Sequence, residues 1–126
     1  MPKLSRSKRK ALKHVFTLAR YCYFENYSAA EKLLQEVEED IKGKNLWGSG
    51  CYLAVKGMIT AGREGNPVTF FWKCKDSSSK ELAFIRKYII EDLSRDNVDE
   101  FEEGFLYGWL TIIDSFIDIH KSLSRR

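Results

Sequence analysis

The sequence predicts an all-α fold, and three observations support that prediction. Only two prolines, Pro2 and Pro67, occur among the 126 residues. No segment shows the sustained alternation of apolar and polar residues that is typical of a half-buried strand. Apolar residues recur instead at helical spacing, and one such stripe consists of Leu12, Val15, Phe16, Ala19, Cys22 and Tyr23. We therefore expect about six helices in three successive antiparallel hairpins, arranged either as a compact bundle or as a short solenoid.

The first three helices are indicated by their start and stop signals. We expect the first helix over residues 6–24 and the second over 28–42, where Ser28 and Glu31 form a capping box. A glycine directly follows the second helix and favours its end there. The third helix is expected over 46–63.

The fourth helix is expected to be short and to follow the sequence GNP at residues 65–67. Asn66 is the expected N-cap and Pro67 the expected first helical residue, because proline is tolerated where no amide donor is needed. The following residues, VTFFWK at 68–73, also have the composition of a strand, and a strand there is the alternative.

Two further capping boxes predict the starts of the last two helices. Ser78 with Glu81 opens the fifth helix, and Asn97 with Glu100 opens the sixth. The sixth helix is long, over roughly 97–122, and nearly all of its faces are apolar. A helix of this kind usually lies at the centre of its domain.

A run of small residues in the third helix predicts close helix packing. The stretch LWGSGCYLAVKGMITAG at 46–62 places small residues on one helical face, and they are Gly50, Ala54, Gly57 and Ala61. Gly104 and Gly108 form a second small stripe in the last helix. We expect these stripes to mark close helix–helix contacts, and one such arrangement brings the two stripes together. Close packing would offset the cost of each helical glycine, about 0.5–1 kcal/mol.

The composition indicates one folded domain, residues 1–126, with a basic N-terminal segment over 1–13. Hydrophobic residues make up 44% and charged residues 31% of the chain, which is ordinary for a globular protein. Residues 1–24 carry seven basic and no acidic side chains, whereas the remainder carries fourteen basic and eighteen acidic ones. Acidic residues are concentrated in EVEED at 36–40 and DNVDEFEE at 96–103.

Cysteine use and hydropathy favour a cytoplasmic protein that does not span a membrane. No apolar segment reaches the roughly 20 residues that a spanning helix needs, and no secretory signal is recognised. Cys22, Cys51 and Cys74 are odd in number and widely spaced. This pattern favours buried free thiols in a reducing compartment over disulfides or a metal site. We expect no metal and no cofactor.

Little in the sequence indicates catalysis, so the predicted function is non-enzymatic binding. No phosphate-binding loop, dinucleotide fingerprint or nucleophile elbow occurs. Both histidines, His14 and His120, lie near helix ends towards the two chain termini. Asp114 and Asp118 lie one turn apart on the most apolar helix. A polar stripe on that helix, or pairing with lysine or arginine, is favoured there over metal binding.

Protein binding, as an adaptor or assembly subunit, is the preferred function class. The aromatic run Phe70, Phe71 and Trp72 falls on the short fourth helix. Because consecutive helical residues are about 100° apart, the three rings cannot all face inward. We expect one of them to be partly exposed and to anchor an interface with a protein partner or with a second copy of the chain.

The alternative is association with RNA or DNA through the basic N-terminal helix. Its candidate residues are Arg6, Lys8, Arg9, Lys10 and Lys13. Contacts of such residues with phosphates release counterions, so this binding would depend strongly on salt. The interleaved aromatic residues that support stacking on single strands are missing from this segment.

Residues 21–61 resemble a degenerate tetratricopeptide repeat. That family places Tyr-x-x-Ala in the second helix of one repeat, and a Trp followed by a small residue in the first helix of the next. Here Tyr27 begins the sequence YSAA, Trp47 follows at the family's spacing, and Cys51 occupies the small position. The resemblance implies helix-pair packing and a protein-binding surface. It covers about a third of the chain, and the family's 34-residue period does not recur.

A second resemblance concerns RKALKH at residues 9–14. It is similar to the Arg-x4–6-His motif of helical bundles of the HEPN class, whose ribonuclease members use the motif in RNA cleavage. The resemblance implies a third function, a ribonuclease in which Arg9 and His14 act together. In that class the motif lies on a later helix, whereas here it lies near the N-terminus, which favours a solvated basic helix end.

Overall fold

The computed structural model describes residues 3–124 and contains six α-helices over that range, with no strand. The helices are α1 Arg6–Tyr23, α2 Tyr27–Lys42, α3 Leu46–Glu64, α4 Phe70–Lys75, α5 Ser79–Leu93 and α6 Glu100–Ser124. The predicted all-α fold with six helices is confirmed, and the aromatic run of α4 is helical rather than a strand.

Side-chain caps produce the predicted starts of α1, α3 and α5. Ser5 caps α1. The Asn45 side chain accepts the Gly48 amide at 2.7 Å and caps α3. Ser78 and Glu81 form the predicted capping box of α5, in which the Ser78 amide donates to the Glu81 carboxylate at 2.9 Å. These local hydrogen bonds satisfy amides that have no partner within the helix.

The predicted starts of α2 and α6 are wrong by one to three residues. Asn26 rather than Ser28 caps α2 through its side-chain oxygen. Asp99 rather than Asn97 accepts the Glu102 amide, at 2.8 Å, and α6 begins at the next residue. In both places a second residue of capping type lies within two positions, so the sequence offers competing starts.

The predicted start of α4 at Pro67 is also wrong. Asn66 closes a turn instead, because its side chain accepts the Val68 amide at 3.1 Å. Helix α4 therefore begins only at Phe70, after Thr69, and is six residues long. The late start leaves α4 short, so α4 covers only a small part of the bundle surface.

Helix α6 lies at the centre of a bundle, as its apolar faces predict. It packs against α1, α3 and α5, and its contact with α3 is the most extensive between any two of the described helices. Of the predicted hairpins, α1 with α2 and α5 with α6 pack closely, whereas α4 contacts α3 only slightly. Because α6 joins helices that are distant in sequence, the chain closes as a bundle rather than stacking as a solenoid.

The small residues of α3 and α6 form a close contact between these two helices. A Cβ on Gly50 would overlap the backbone of α6, and a Cβ on Gly104 would overlap the carbonyl oxygen of Trp47. A Cβ on Gly108 would lie 2.9 Å from the Cβ of Ala54. At these positions the predicted contact between the two small stripes is confirmed.

Gly57 departs from this pattern. It is exposed, and no atom lies within 4 Å of the position that its Cβ would take. Its predicted place in the helix contact is therefore wrong, because the space beside it is open.

Within residues 3–124, no helix combines the length and the apolar character that crossing a bilayer requires.

Candidate functional site

An apolar groove with a volume of about 630 Å³ lies between α4, α5 and α6. Its apolar lining residues are Phe70, Ile85, Tyr88, Ile89, Phe105, Leu106 and Trp109. One charged residue, Asp92, also lines it. A concave apolar surface of this size with few polar groups is typical of a binding site.

The aromatic run of α4 is divided between the core and the groove. Phe71 is buried, and the indole Nε1 of Trp72 donates to the Ala61 carbonyl oxygen at 2.9 Å. Phe70 is 40% exposed and packs edge-on against Trp109. Of the three aromatic residues singled out from the sequence, Phe70 is therefore the one that lies at the groove.

Helix α5 forms one wall of the groove and leaves much of its apolar surface uncovered. Of this helix only Leu82 and Ile89 are buried. Phe84 and Tyr88 are 59% and 55% exposed, and their rings contact each other edge-on with centroids 4.9 Å apart. Isolated apolar residues are common on protein surfaces, so the adjoining rings beside the groove are the more informative feature.

The opposite wall belongs to α6 and is held by its contact with α3. Phe105 and Leu106 are partly buried, and Trp109 is buried. The amide nitrogen of Phe105 lies close to Gly50, where an added Cβ would be 2.9 Å away. The small residues of α3 therefore set the position of the α6 wall.

One end of the groove is acidic. Arg95 forms an ion pair with Glu102, and its Nε lies 3.9 Å from an Asp92 oxygen. All three side chains are partly exposed to solvent. Residues 91–103 contain seven acidic side chains and one basic side chain, so this end carries a negative potential.

The basic residues of α1 lie beside the acidic end of α2. Lys10 Nζ is 3.6 Å from one oxygen of Asp40, and His14 Nε2 is 3.2 Å from the other. Arg9 donates to the backbone carbonyl of Leu4 at 2.7 Å. The two residues of the HEPN-like motif, Arg9 and His14, therefore contact different groups.

The remaining candidates for nucleic-acid binding differ in their surroundings. Lys8 lies over the ring of Trp47, with Nζ 5.2 Å from the ring centroid. Arg6 and Lys13 are exposed and form no ion pair with another of residues 3–124. Within residues 3–124, Lys10 is thus the one ion-paired member of the five, and Arg6 and Lys13 are the two exposed members whose side chains make no polar or aromatic contact.

Asp114 and Asp118 form ion pairs, as the sequence favours. Arg86 Nε donates to Asp114 at 2.6 Å, and Arg20 Nη1 lies 3.5 Å from Asp118. Within the described part of the chain, no group of three or more histidine, cysteine, aspartate or glutamate residues is arranged to hold a metal ion.

A chain of hydrogen bonds that the sequence does not predict joins α1, α5 and α6. The Ser79 hydroxyl lies 2.9 Å from His120 Nδ1, and the Tyr23 hydroxyl lies 3.1 Å from His120 Nε2. Tyr23 and His120 are 97 residues apart, and no local pattern could pair them. The chain ties the end of α6 to its two neighbours.

The cysteines are buried free thiols, as predicted. Burial raises the pKa of Cys51 to about 12, and burial together with the charge of Glu31 raises the pKa of Cys22 to about 12. Thiols with such pKa values stay protonated at neutral pH and are poor nucleophiles.

Comparison of the chain with known protein families, with curated proteins and with solved structures gives no match. The tetratricopeptide-like and HEPN-like resemblances therefore stay predictions. The groove between α4, α5 and α6 is accordingly the feature from which a function is inferred.

Proposed function

We propose that this chain is a non-enzymatic protein-interaction module whose groove between α4, α5 and α6 binds an apolar helix of a partner protein. The observation that carries the proposal is the exposure of Phe70 and Tyr88, two of the seven apolar side chains that line the groove. As an adaptor or assembly subunit, the chain would hold this helix without altering it chemically.

The dimensions of the groove suit a helix. Its α5 wall is lined by Ile85, Tyr88, Ile89 and Asp92, which cover two helical turns or about 10 Å. A partner helix with apolar residues at positions i, i+3 or i+4, and i+7 spans the same length. Its apolar face would lie along α5 and α6, with Phe70 at one end.

The exposed aromatic side chains supply the free energy of binding in this proposal. Phe84 and Tyr88 are more than half exposed, so a partner would remove much apolar surface from water. Tyrosine suits an interface because its ring can be buried while its hydroxyl stays near water. Truncation of an aromatic anchor at the centre of an interface typically costs about 2 kcal/mol or more.

RNA or DNA binding through α1 is the competing function. Arg6 and Lys13 favour it, because both are exposed and neither is ion-paired within residues 3–124. Asp40 disfavours it, because this carboxylate pairs with Lys10 and brings the acidic end of α2 beside the basic segment. The apolar lining of the groove favours helix binding, and nucleic-acid binding is the alternative result of the experiments below.

Selection from a display library of short helical peptides tests the proposal. Enriched peptides should carry apolar anchors at helical spacing and should bind the wild-type chain. Tyr88→Gln should weaken that binding about tenfold or more, since a loss of 1.4 kcal/mol is tenfold. Phe24→Gln is the matched control, because Phe24 is 57% exposed but lies at the end of α1, outside the groove lining.

The failure of the selection to enrich any peptide that depends on Tyr88 would overturn the proposal. A parallel titration uses single-stranded RNA and duplex DNA at about 50 mM salt. Binding that is lost in an Arg6→Gln, Lys13→Gln double variant and kept in Tyr88→Gln would favour the nucleic-acid function instead. Cleavage of the RNA that is lost in His14→Ala would favour the ribonuclease.

A further inference from the structure

We infer that the helix accepted by the groove is basic as well as apolar, with a lysine or arginine at the end that lies over Asp92 and Glu102. The inference rests on the proposed function and deepens it, because it assigns a charge pattern and an orientation to the partner helix. The occupant is an amphipathic helix of another protein with one cationic end.

The first supporting observation is that one cation, Arg95, pairs with two carboxylates, Asp92 and Glu102, at this end of the groove. Arg95 is engaged by Glu102, and its Nε lies 3.9 Å from Asp92, a loose ion pair. The Asp92 side chain lines the groove and is 57% exposed. One carboxylate charge therefore stays uncompensated at the place where a bound helix would end.

The second observation concerns the C-terminus of α5. Helix α5 has no basic residue in its last turn, although a helix C-terminus carries a partial negative charge. Residues 91–103 contain Arg95 as their one basic residue among seven acidic ones. This field attracts a cationic segment before contact and sets its orientation as it docks.

The opposite end of the groove has an apolar lining, and this difference between the ends gives the charge pattern its direction. Phe70 lies there against Trp109, and Phe84 and Ile85 extend the apolar surface along α5. Lys80 and Glu81 lie beyond them on α5, and their opposite charges give no net charge. The apolar end of the partner helix therefore lies towards α4, and its cationic end lies towards the connection between α5 and α6. A helix without a cation at that end would desolvate Asp92 and leave it with only its 3.9 Å contact to Arg95, which is unfavourable.

Two synthetic peptides with the same apolar face test the inference, one with lysines at the stated end and the other with glutamates there. Each is titrated into the full chain by fluorescence anisotropy at about 50 mM and about 300 mM salt. At the lower salt, the lysine peptide should bind about tenfold tighter than the glutamate peptide. The difference should narrow at the higher salt, because salt screens partly exposed charges.

Charge variants of the chain identify the residues responsible. Asp92→Asn, alone and with Glu102→Gln, should remove most of the difference between the two peptides. Glu36→Gln is the matched control, because Glu36 is an exposed glutamate on α2, which does not line the groove. Arg95→Gln should raise the affinity for the lysine peptide by about twofold to fivefold, since it removes the cation that competes for the carboxylates.

The outcomes separate the inference from the function on which it rests. If neither peptide binds the wild-type chain, and library selection also gives none, the proposed function fails. If both peptides bind equally at low salt and both lose affinity in Tyr88→Gln, the function stands and the basic-end inference is wrong. Weaker binding of the lysine peptide to Arg95→Gln than to wild type would also contradict the inference.

Discussion

Phe70 of α4 and Trp109 of α6 meet edge to face, with ring centroids 4.6 Å apart and an interplanar angle of 77°. Trp109 is 8% exposed and Phe70 is 40% exposed, so the pair extends from the core to the groove. Phe71, the next residue, is 1% exposed and packs against Phe116 with centroids 6.1 Å apart. Two adjacent phenylalanines therefore serve different purposes, one in the core and one at the groove.

Substitution of these two phenylalanines should separate folding from binding. Phe71→Ala should lower the free energy of unfolding by about 3–5 kcal/mol, because it leaves a cavity in the core. Phe70→Ala should lower the free energy of unfolding by only about 1–2 kcal/mol, mainly through the lost ring pair. The same substitution should weaken the binding of the selected helical peptides about tenfold. Urea unfolding and peptide titration measure the two effects. Wild-type peptide affinity in Phe70→Ala would contradict the assignment of this residue to the binding surface.

Two glycine substitutions test the contact between α3 and α6. Gly104→Ala should destabilise the fold by about 1–3 kcal/mol or more, because the added methyl would overlap the Trp47 carbonyl oxygen. Gly57→Ala is the matched control and should raise stability by up to about 1 kcal/mol, since alanine favours the helix and the space is open. Thermal unfolding of both variants gives the comparison. Equal changes in stability in the two variants would mean that α3 and α6 are not closely packed at Gly104.

The free energy of unfolding should fall as the pH rises from about 9 to about 12. Burial raises the pKa of Cys51 from 9.0 to about 12, and that of Cys74 from 9.0 to about 12. Above pH 9 the unfolded chain loses these protons first, so ionisation favours unfolding. The contribution of the protonated thiols is complete below pH 9 and is lost towards pH 12.

Urea unfolding at successive pH values through this window measures the slope of stability against pH. Cys51→Ala should reduce the slope, because it removes one of the buried groups that titrate. Raised pKa values of Tyr27 and Tyr52 act in the same direction, so part of the slope should remain. A slope that is the same with and without the Cys51 thiol would show that this thiol is not buried as described.

Loss of the Asp114 charge should have a small effect on the free energy of unfolding. Its ion pair with Arg86 is short at 2.6 Å, but both side chains are 39% exposed, so solvent screens the interaction. Asp114→Asn should therefore lower the free energy of unfolding by about 1 kcal/mol or less. Addition of Mg²⁺ or Mn²⁺ should leave the melting temperature unchanged. A cation-dependent rise that disappears in Asp114→Asn would show a metal site instead.

The sequence predicts much of the fold because its main signals are local. The Ser78 and Glu81 capping box, the Asn45 cap and the apolar periodicity each act within one or two helical turns. The contact of Gly104 with α3 is not local, but small residues at helical spacing still predict that two helices pack closely. The starts of α2 and α6 were predicted wrongly because two capping residues compete within two positions, and that of α4 because Asn66 closes a turn instead of capping the helix.

The groove could not be predicted, because its walls come from three separate parts of the chain. Periodicity marks Ile85 and Ile89 as apolar, but it does not show that Tyr88 and Phe84 stay uncovered. That exposure depends on tertiary packing, because α5 packs mainly against α6. The acidic cluster is visible in the sequence, whereas its position at the end of an apolar groove depends on the tertiary contacts.

Chemical-shift perturbation tests the central claim most directly. The isotopically labelled chain is titrated with the lysine-ended helical peptide, and the amide signals of the whole backbone are followed. The largest changes are expected in residues 85–92 of α5 and 105–109 of α6, with little change in residues 6–13 of α1. Absence of changes along the groove, or changes confined to residues 6–13, would contradict the assignment of this groove as the helix-binding site.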